Sequence, residues 1–405
     1  MIRCASSLRA VPPATTLERA CRWGVALGVT RVTEITRLDR IGIPVCVAVR
    51  PGARPGSLCV SAGKGLTVLE ARVGAWMEAI EFALAEPRAA EMEVHEATAR
   101  DVLDGHTRPD AILDFCPVLT AEIPLDAPLP CVAADELVSG AQALVPAEIV
   151  FLPPDSRAPS RYFTAGSNGL ASGNTLLEAT VHGLAELIER DICAFHSLRD
   201  RSVSVRIASL PPPASDLAAA VHEASLRLIV RHLPNEFGLP CFSALMIDRE
   251  AHSPCFVNGG FGCHPHRDIA LVRAICEAAQ SRLSVIHGGR DDLTDQARRF
   301  RGRDETRQQD YWSRACAMSA TREREIDADA VVDRAGEAQN LSSAYEVLAE
   351  SLLRAGMGLI CRIALTRPGD ELQVVRIVAP GLEEFNAFTP RVGRRLRDHV
   401  SRAAS

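Results

Sequence analysis

A fifteen-residue pattern occurs twice in this chain, and the repeat constrains the fold more than any other feature. Residues 67–81 read TVLEARVGAWMEAIE and residues 175–189 read TLLEATVHGLAELIE, an offset of 108. Three acids recur in register: Glu70 matches Glu178, Glu78 matches Glu186, and Glu81 matches Glu189. A weaker third copy, IALVRAICEAAQ at 269–280, follows 91 residues after the second and aligns Glu277 with Glu186 and Gln280 with Glu189. Such self-similarity implies that one supersecondary unit is used several times.

The flanks repeat as well. IPVCVAV (43–49), the turn PGARPG, SLCVS and the loop AGKG precede the first copy. CFSALMI (241–247), a polar turn and PCFVNGGFG precede the third. The second is preceded by EIVFLPP, a polar loop, RYFTA and GSNGLASGN. Runs of β-branched residues around Pro/Gly turns predict hairpins. Each unit is therefore expected to be hairpin, glycine loop and long helix, and a further hairpin is expected from LICRIAL (359–365) and LQVVRIVA (372–379). The fold class is α+β, with antiparallel sheets packed by helices. The expected organisation is an N-terminal segment 1–40, a catalytic domain 41–384 with units near 41–85, 147–200 and 240–288, and a basic, polar, partly disordered tail 385–405. Residues 290–330 are expected to be helical or loop connections.

The second helix carries the chemistry most openly. At roughly 100° per residue, His182, Glu186 and Glu189 fall about 40°, 80° and 20° from Glu178, on one face. Like charges at this spacing repel, so a positive charge should compensate. Arg190 and Arg199 could do so as an ordinary surface network. Alternatively the carboxylates hold Mg²⁺ together with ATP phosphates. For one helix the solvated face is the simpler account. Recurrence of the acid pair across 200 residues, while the surroundings diverge, favours the metal.

Of 45 basic residues, one is lysine: Lys64, within Ser61-Ala62-Gly63-Lys64-Gly65. Chance could place it there. A compact ammonium, however, fits among phosphate oxygens where a planar guanidinium is too wide. Glycines and the helix N-terminus behind them also suit an anion, although no Walker A motif is present. Ser167, Asn168, Gly169, Gly173 and Asn174 supply amide and hydroxyl groups in the second unit.

Composition excludes several classes. The net charge of −6 offers no basic surplus for nucleic acid. No apolar run is long enough for a membrane span, and no secretory h-region is seen at the start, so a cytoplasmic location is expected. The thirteen cysteines form no C-x-x-C pair, so zinc spacing is absent; they are expected to be reduced, mostly buried thiols.

The runs AGSNGLASGNTLLEATVHGLAELIERDICAFH (165–196), SAGKGLTVLEARVGAWMEAIE (61–81) and GFGCHPHRDIALVRAICEAAQSRL (260–283), followed by RDDL, closely resemble the signatures of the YcaO superfamily. The resemblance implies an enzyme that uses ATP and Mg²⁺ to activate a peptide backbone amide, giving an azoline with a Cys, Ser or Thr nucleophile and a thioamide with a sulfur donor. It places nucleotide contacts at Ser61, Lys64, Asn174, Glu178, Arg190, Glu277, Gln280 and Arg282, and metal ligands at Glu78, Glu81, Glu186 and Glu189. No proline-rich C-terminus is present; VVRIVAPGLE (374–383) and RIGIPVCVAVRP (40–51) look like members encoded with TfuA-type partners. The implied partners are a peptide or protein substrate, a TfuA-like protein that presents peptide or delivers sulfur, and a second copy of the chain as homodimer. The competing expectation is an ATP-binding accessory factor for another protein-modifying enzyme.

Overall fold

The computed structural model describes residues 2–87, 92–103, 109–158, 161–164, 166–248, 257–290, 325–386 and 390–404. These divide into two compact units. The first comprises Met1–Ala53, Leu58–Ile80 and Arg201–Ala344; the second comprises Arg54–Ser57, Glu81–Asp200 and Tyr345–Ser405.

The first unit contains the hairpin β1 (Ile2–Cys4) and β2 (Ser7–Arg9), then helix α1 (Pro13–Ala26). Strands β3 (Arg31–Glu34), β4 (Val45–Val49) and β5 (Val60–Lys64) form an antiparallel sheet with β5 at one edge. Helix α2 (Val68–Ala85) follows, and the boundary between units falls within it, after Ile80. The second sheet of this unit takes β9 (Val203–Val205), β10 (Leu226–His232), β11 (Cys241–Asp248), β12 (Val257–Cys263) and β13 (Glu325–Ile326), in the order β12-β11-β10-β9-β13. Helices α6 (Ala214–Glu223) and α7 (Arg267–His287) cover it. Apolar residues at helical spacing on α7, among them Leu271, Ala274, Ile275 and Ala278, are fully buried in this core. Each such aliphatic side chain of Leu or Ile size contributes about 1.5–3 kcal/mol on burial.

In the second unit, β6 (Cys131–Glu136), β7 (Gln142–Pro146), β8 (Leu170–Gly173), β14 (Cys361–Ala364) and β15 (Gln373–Val378) form one antiparallel sheet in the order β7-β6-β14-β15-β8. The short helices α3 (Ala99–Val102) and α4 (Ala147–Val150), and the long helix α5 (Leu176–Leu198), accompany it. Helix α8 (Leu341–Arg354) begins at the end of the first unit and continues into the second, which also holds α9 (Arg394–Ala404).

The three repeat helices and the hairpins of the first and third units form where the periodicities place them. The second unit differs. EIVFLPP does not make a strand: residues 147–150 are a helical turn, and β8 pairs instead with β15, about 200 residues away. Pro153 and Pro154 lack the N–H groups that a ladder needs. The tail expected to be partly disordered contains α9 over 394–404. The Gly393 and Leu396 amides donate to the buried Glu383 carboxylate, and Arg395 donates to Asp191 of α5 at 2.5 Å. The connection expected at 290–330 lies largely outside the described residues. Cys131, Cys276 and Cys361 are buried thiols, each pushed by burial up to about 12 and so held in the protonated, unreactive form.

Candidate functional site

The runs read as glycine loops lie largely in strands, and each of the strands β5, β8 and β12 is an edge of its sheet. The helix that follows lies directly on the glycines. A Cβ on Gly63 would stand 2.1 Å from Ala75 N and 2.2 Å from Ala71 O of α2. One on Gly173 would meet Ala179 N at 2.7 Å, and one on Gly260 would meet Ala278 N at 2.3 Å. These glycines let a helix backbone touch an edge strand, which is a packing requirement before it is a phosphate one.

In the first unit this contact lets helix side chains seize the strand. Glu78 accepts from the Ala62 N–H at 2.5 Å, and Gln280 of α7 donates to the Ala62 carbonyl at 2.7 Å. One residue of the edge strand is thus held by two repeat helices. Lys64 donates to Glu277 at 2.7 Å, and both side chains remain partly exposed. Ser61 is 1% exposed, and its hydroxyl has no partner among the described residues. Arg282 is placed differently from the other candidates of α7. It is buried, and its guanidinium bridges Asp39 at 2.8 Å and Asp248 at 3.2 Å. Arg40 also donates to Asp248. Arg282 is thus a buried cation set between two buried acids.

In the second unit the Ser172 hydroxyl of β8 donates to Glu81 at 2.5 Å. On α5, Glu189 is 3% exposed with Arg190 at 3.9 Å, while His182 and Glu186 are half-buried. Glu178 has a local structural role. Thr175 accepts from the Glu178 amide, and the Glu178 carboxylate accepts from the Asn174 amide at 3.0 Å. Its repeat counterpart Glu70 behaves alike, with Thr67 accepting from its amide and its carboxylate accepting from Leu66. T-x-x-E in both copies is therefore a capping arrangement that satisfies helix N-terminal donors.

The compensating charge expected beside the acids includes one that sequence reasoning missed. Arg376 lies on β15 with 1% exposure. It donates to the carbonyls of Gly166 and Asn168 at 2.8 Å and of Val150 at 3.2 Å. Burial pushes its guanidinium down to about 10, while Glu384, Glu186 and Glu81 favour the charged form, so it remains a cation at neutral pH. The available signal was an arginine inside the apolar run LQVVRIVA, where a buried charge needs acids.

The donors suit magnesium and a nucleotide: hard carboxylate oxygens, an ammonium, and a buried hydroxyl without a partner. Among the described residues, no three His, Cys, Asp or Glu side chains gather tightly enough to hold a metal alone. Among the described residues no helix is long and apolar enough to cross a membrane.

Comparisons with known proteins agree. An uncharacterised protein of Methanothermobacter thermautotrophicus is 34% identical over 398 residues, covering 97% of this chain and 99% of that protein. A protein from the tfuA 3′ region of Rhizobium leguminosarum bv. trifolii is 32% identical over 390 residues, covering 93% and 88%. YcaO from Methanopyrus kandleri, solved with AMPPCP and Mg²⁺, superposes with a TM-score of 0.74 at 25% identity, covering 97% of each chain. Residues 62–383 match the YcaO cyclodehydratase family, described as ATP- and Mg²⁺-binding, and the chain belongs to that family.

Proposed function

We propose that this protein activates a backbone amide of a peptide in an ATP- and Mg²⁺-dependent step of peptide or protein modification. The observation that carries this reading is the pinning of repeated carboxylates by the glycine strands: Glu78 by the Ala62 amide and Glu81 by the Ser172 hydroxyl. Carboxylates held in place lose less freedom on taking a cation, which favours binding.

ATP supplies the γ-phosphoryl group that converts the amide oxygen into a leaving phosphate. The chain's residues then divide the work. Glu78, Glu81, Glu186 and Glu189 would hold magnesium. The Lys64 ammonium and the Arg190 guanidinium would offset phosphate charge, and the Ser61 hydroxyl and Asn174 amide would orient the nucleotide. Glu277 and Gln280 would keep Lys64 and the strand in place. A nucleophile adds to the amide carbon, the activated oxygen leaves with phosphate, and positioning of the peptide contributes much of the rate.

The family resemblance and the relative from a tfuA region support the thioamide branch, with a TfuA-like protein presenting peptide or delivering sulfur; a homodimer is the assembly proposed with it. The test is mass spectrometry of a candidate precursor peptide incubated with ATP, Mg²⁺ and sulfide, with and without the partner. Exchange of oxygen for sulfur identifies thioamidation; loss of one water identifies an azoline. Mg·ATP binding without modification of any candidate peptide would favour the accessory role.

A further inference from the structure

The third repeat leaves open an edge that the first closes. An offset of 199 residues aligns Glu78 with Glu277, and it also aligns Ala62 of β5 with Phe261 of β12. The packing follows the same offset. A Cβ on Gly63 would meet Ala71 O and Ala75 N of α2, and one on Gly262 would meet Ala270 O at 2.1 Å and Ala274 N at 2.8 Å of α7. In β5 the outward N–H and C=O of Ala62 are taken by Glu78 and Gln280. In β12 the corresponding acid is turned elsewhere, since Glu277 accepts from Lys64. The register fixes which groups of β12 remain. The His264 amide donates to the Pro240 carbonyl, so the backbone groups of Asn258, Gly260 and Gly262 face β11. Those of Gly259 and Phe261 point out of the sheet, at its edge. Among the described residues nothing bonds to them, and Gly259 is exposed. The edge adjoins the proposed site: a Cβ on Gly260 would stand 2.7 Å from the backbone of Glu277, the acid that aligns Lys64.

We propose that the open edge of β12 at Gly259 and Phe261 takes the peptide substrate as an added, extended strand. An edge with bare N–H and C=O groups is a template for a further strand, and a glycine within it lets a second backbone approach closely. Main-chain pairing supplies affinity without reading any one side chain, which suits an enzyme whose reacting group is itself a backbone amide. Gly260 and Gly262 meet α7, so Gly259 and Phe261 alternate onto the other sheet face. There Phe261, Leu245 and Ile229 are half-buried and offer apolar ground to alternate side chains of the peptide. Pairing also fixes the peptide along its length beside the Lys64–Glu277 contact, and such positioning contributes to rate. This inference rests on the proposed peptide substrate.

The experiment selects linear peptides from a random displayed library on the full-length protein and measures the best of them, fluorescently labelled, by polarisation. Gly259→Pro removes an outward N–H and obstructs the edge, yet costs no ladder bond to β11, because an outward amide makes none. It should weaken peptide binding at least about tenfold. Gly259→Ala keeps that N–H, and its Cβ would meet nothing closer than 3.8 Å, so it should weaken binding much less. On the wild type, N-methylation of the peptide's amides one at a time should weaken binding with a two-residue period. Should Gly259→Pro fail to fold, this scan decides alone. Binding that survives Gly259→Pro, a methylation scan without alternation, or a library that enriches no peptide overturns the proposal. A change in the oligomeric state of Gly259→Pro by sedimentation also overturns it, because the edge would then join two copies of the chain. A peptide that meets both binding criteria but is never modified with ATP and Mg²⁺ supports the docking edge and contradicts the proposed function.

Discussion

The Lys64 ammonium donates to the Glu277 carboxylate at 2.7 Å, joining an edge strand to a helix 213 residues further along the chain. The only lysine in the sequence is thus aligned by an acid of the third repeat, with about a quarter of its side chain still open to solvent. Lys64→Arg keeps the charge but changes its shape. Mg·ATP affinity should fall at least about tenfold with little change in Tm, because a guanidinium fork does not replace a point charge among phosphate oxygens. Calorimetry paired with thermal unfolding checks this, and unchanged affinity would remove Lys64 from the nucleotide contacts.

Glu189 is nearly fully buried on a helix face it shares with Glu186. Mg·ATP should raise the Tm of the wild type by mass action. Glu189→Gln should lose most of that rise while the ligand-free protein becomes no less stable, since repulsion is relieved. A ligand-induced shift as large as that of wild type would show that Glu189 is not a metal ligand.

Gly63→Ala places a Cβ about 2 Å from two backbone atoms of α2, which cannot move as a flexible side-chain tip could. Overpacking of this kind should cost about 2–4 kcal/mol in urea unfolding. Gly42→Ala is the control, with φ of +81° and no neighbouring atom within 4 Å. It should cost only about 1 kcal/mol, the backbone penalty alone. Equal effects would mean that the close strand–helix contact is not what requires Gly63.

Repeat helices and local hairpins were legible because their periods are written in neighbouring residues. The partner of β8 was not, because β15 lies about 200 residues away and nothing local specifies it. The acids at 78, 81, 186 and 189 are proposed as ligands from their recurrence. Glu178 recurs just as strictly as Glu70, yet both cap helices, so recurrence alone does not separate ligands from caps. Arg282 matched the family's third helix, but its contacts are buried aspartates, which only the tertiary structure brings together. Helix α9 was concealed by its basic composition.

Acid should act through Asp155. Burial raises its carboxyl, but hydrogen bonds and charge from Arg157 prevail and hold it below the usual range. A depressed carboxyl stabilises the fold above its unfolded pKa, and that contribution disappears as pH falls through the folded one. Asp155→Asn should therefore be less stable than wild type at neutral pH, with the difference vanishing toward strongly acidic pH. A constant difference across that range would contradict the assignment.

The proposed reaction phosphorylates an amide oxygen, and that oxygen can be followed directly. The measurement is isotope analysis of the inorganic phosphate released when this protein, with ATP, Mg²⁺ and any required partner, modifies a peptide carrying heavy oxygen in its backbone carbonyl. Heavy oxygen transferred to phosphate, one atom per modified amide, is the result predicted. Modified peptide accompanied by unlabelled phosphate would contradict the account.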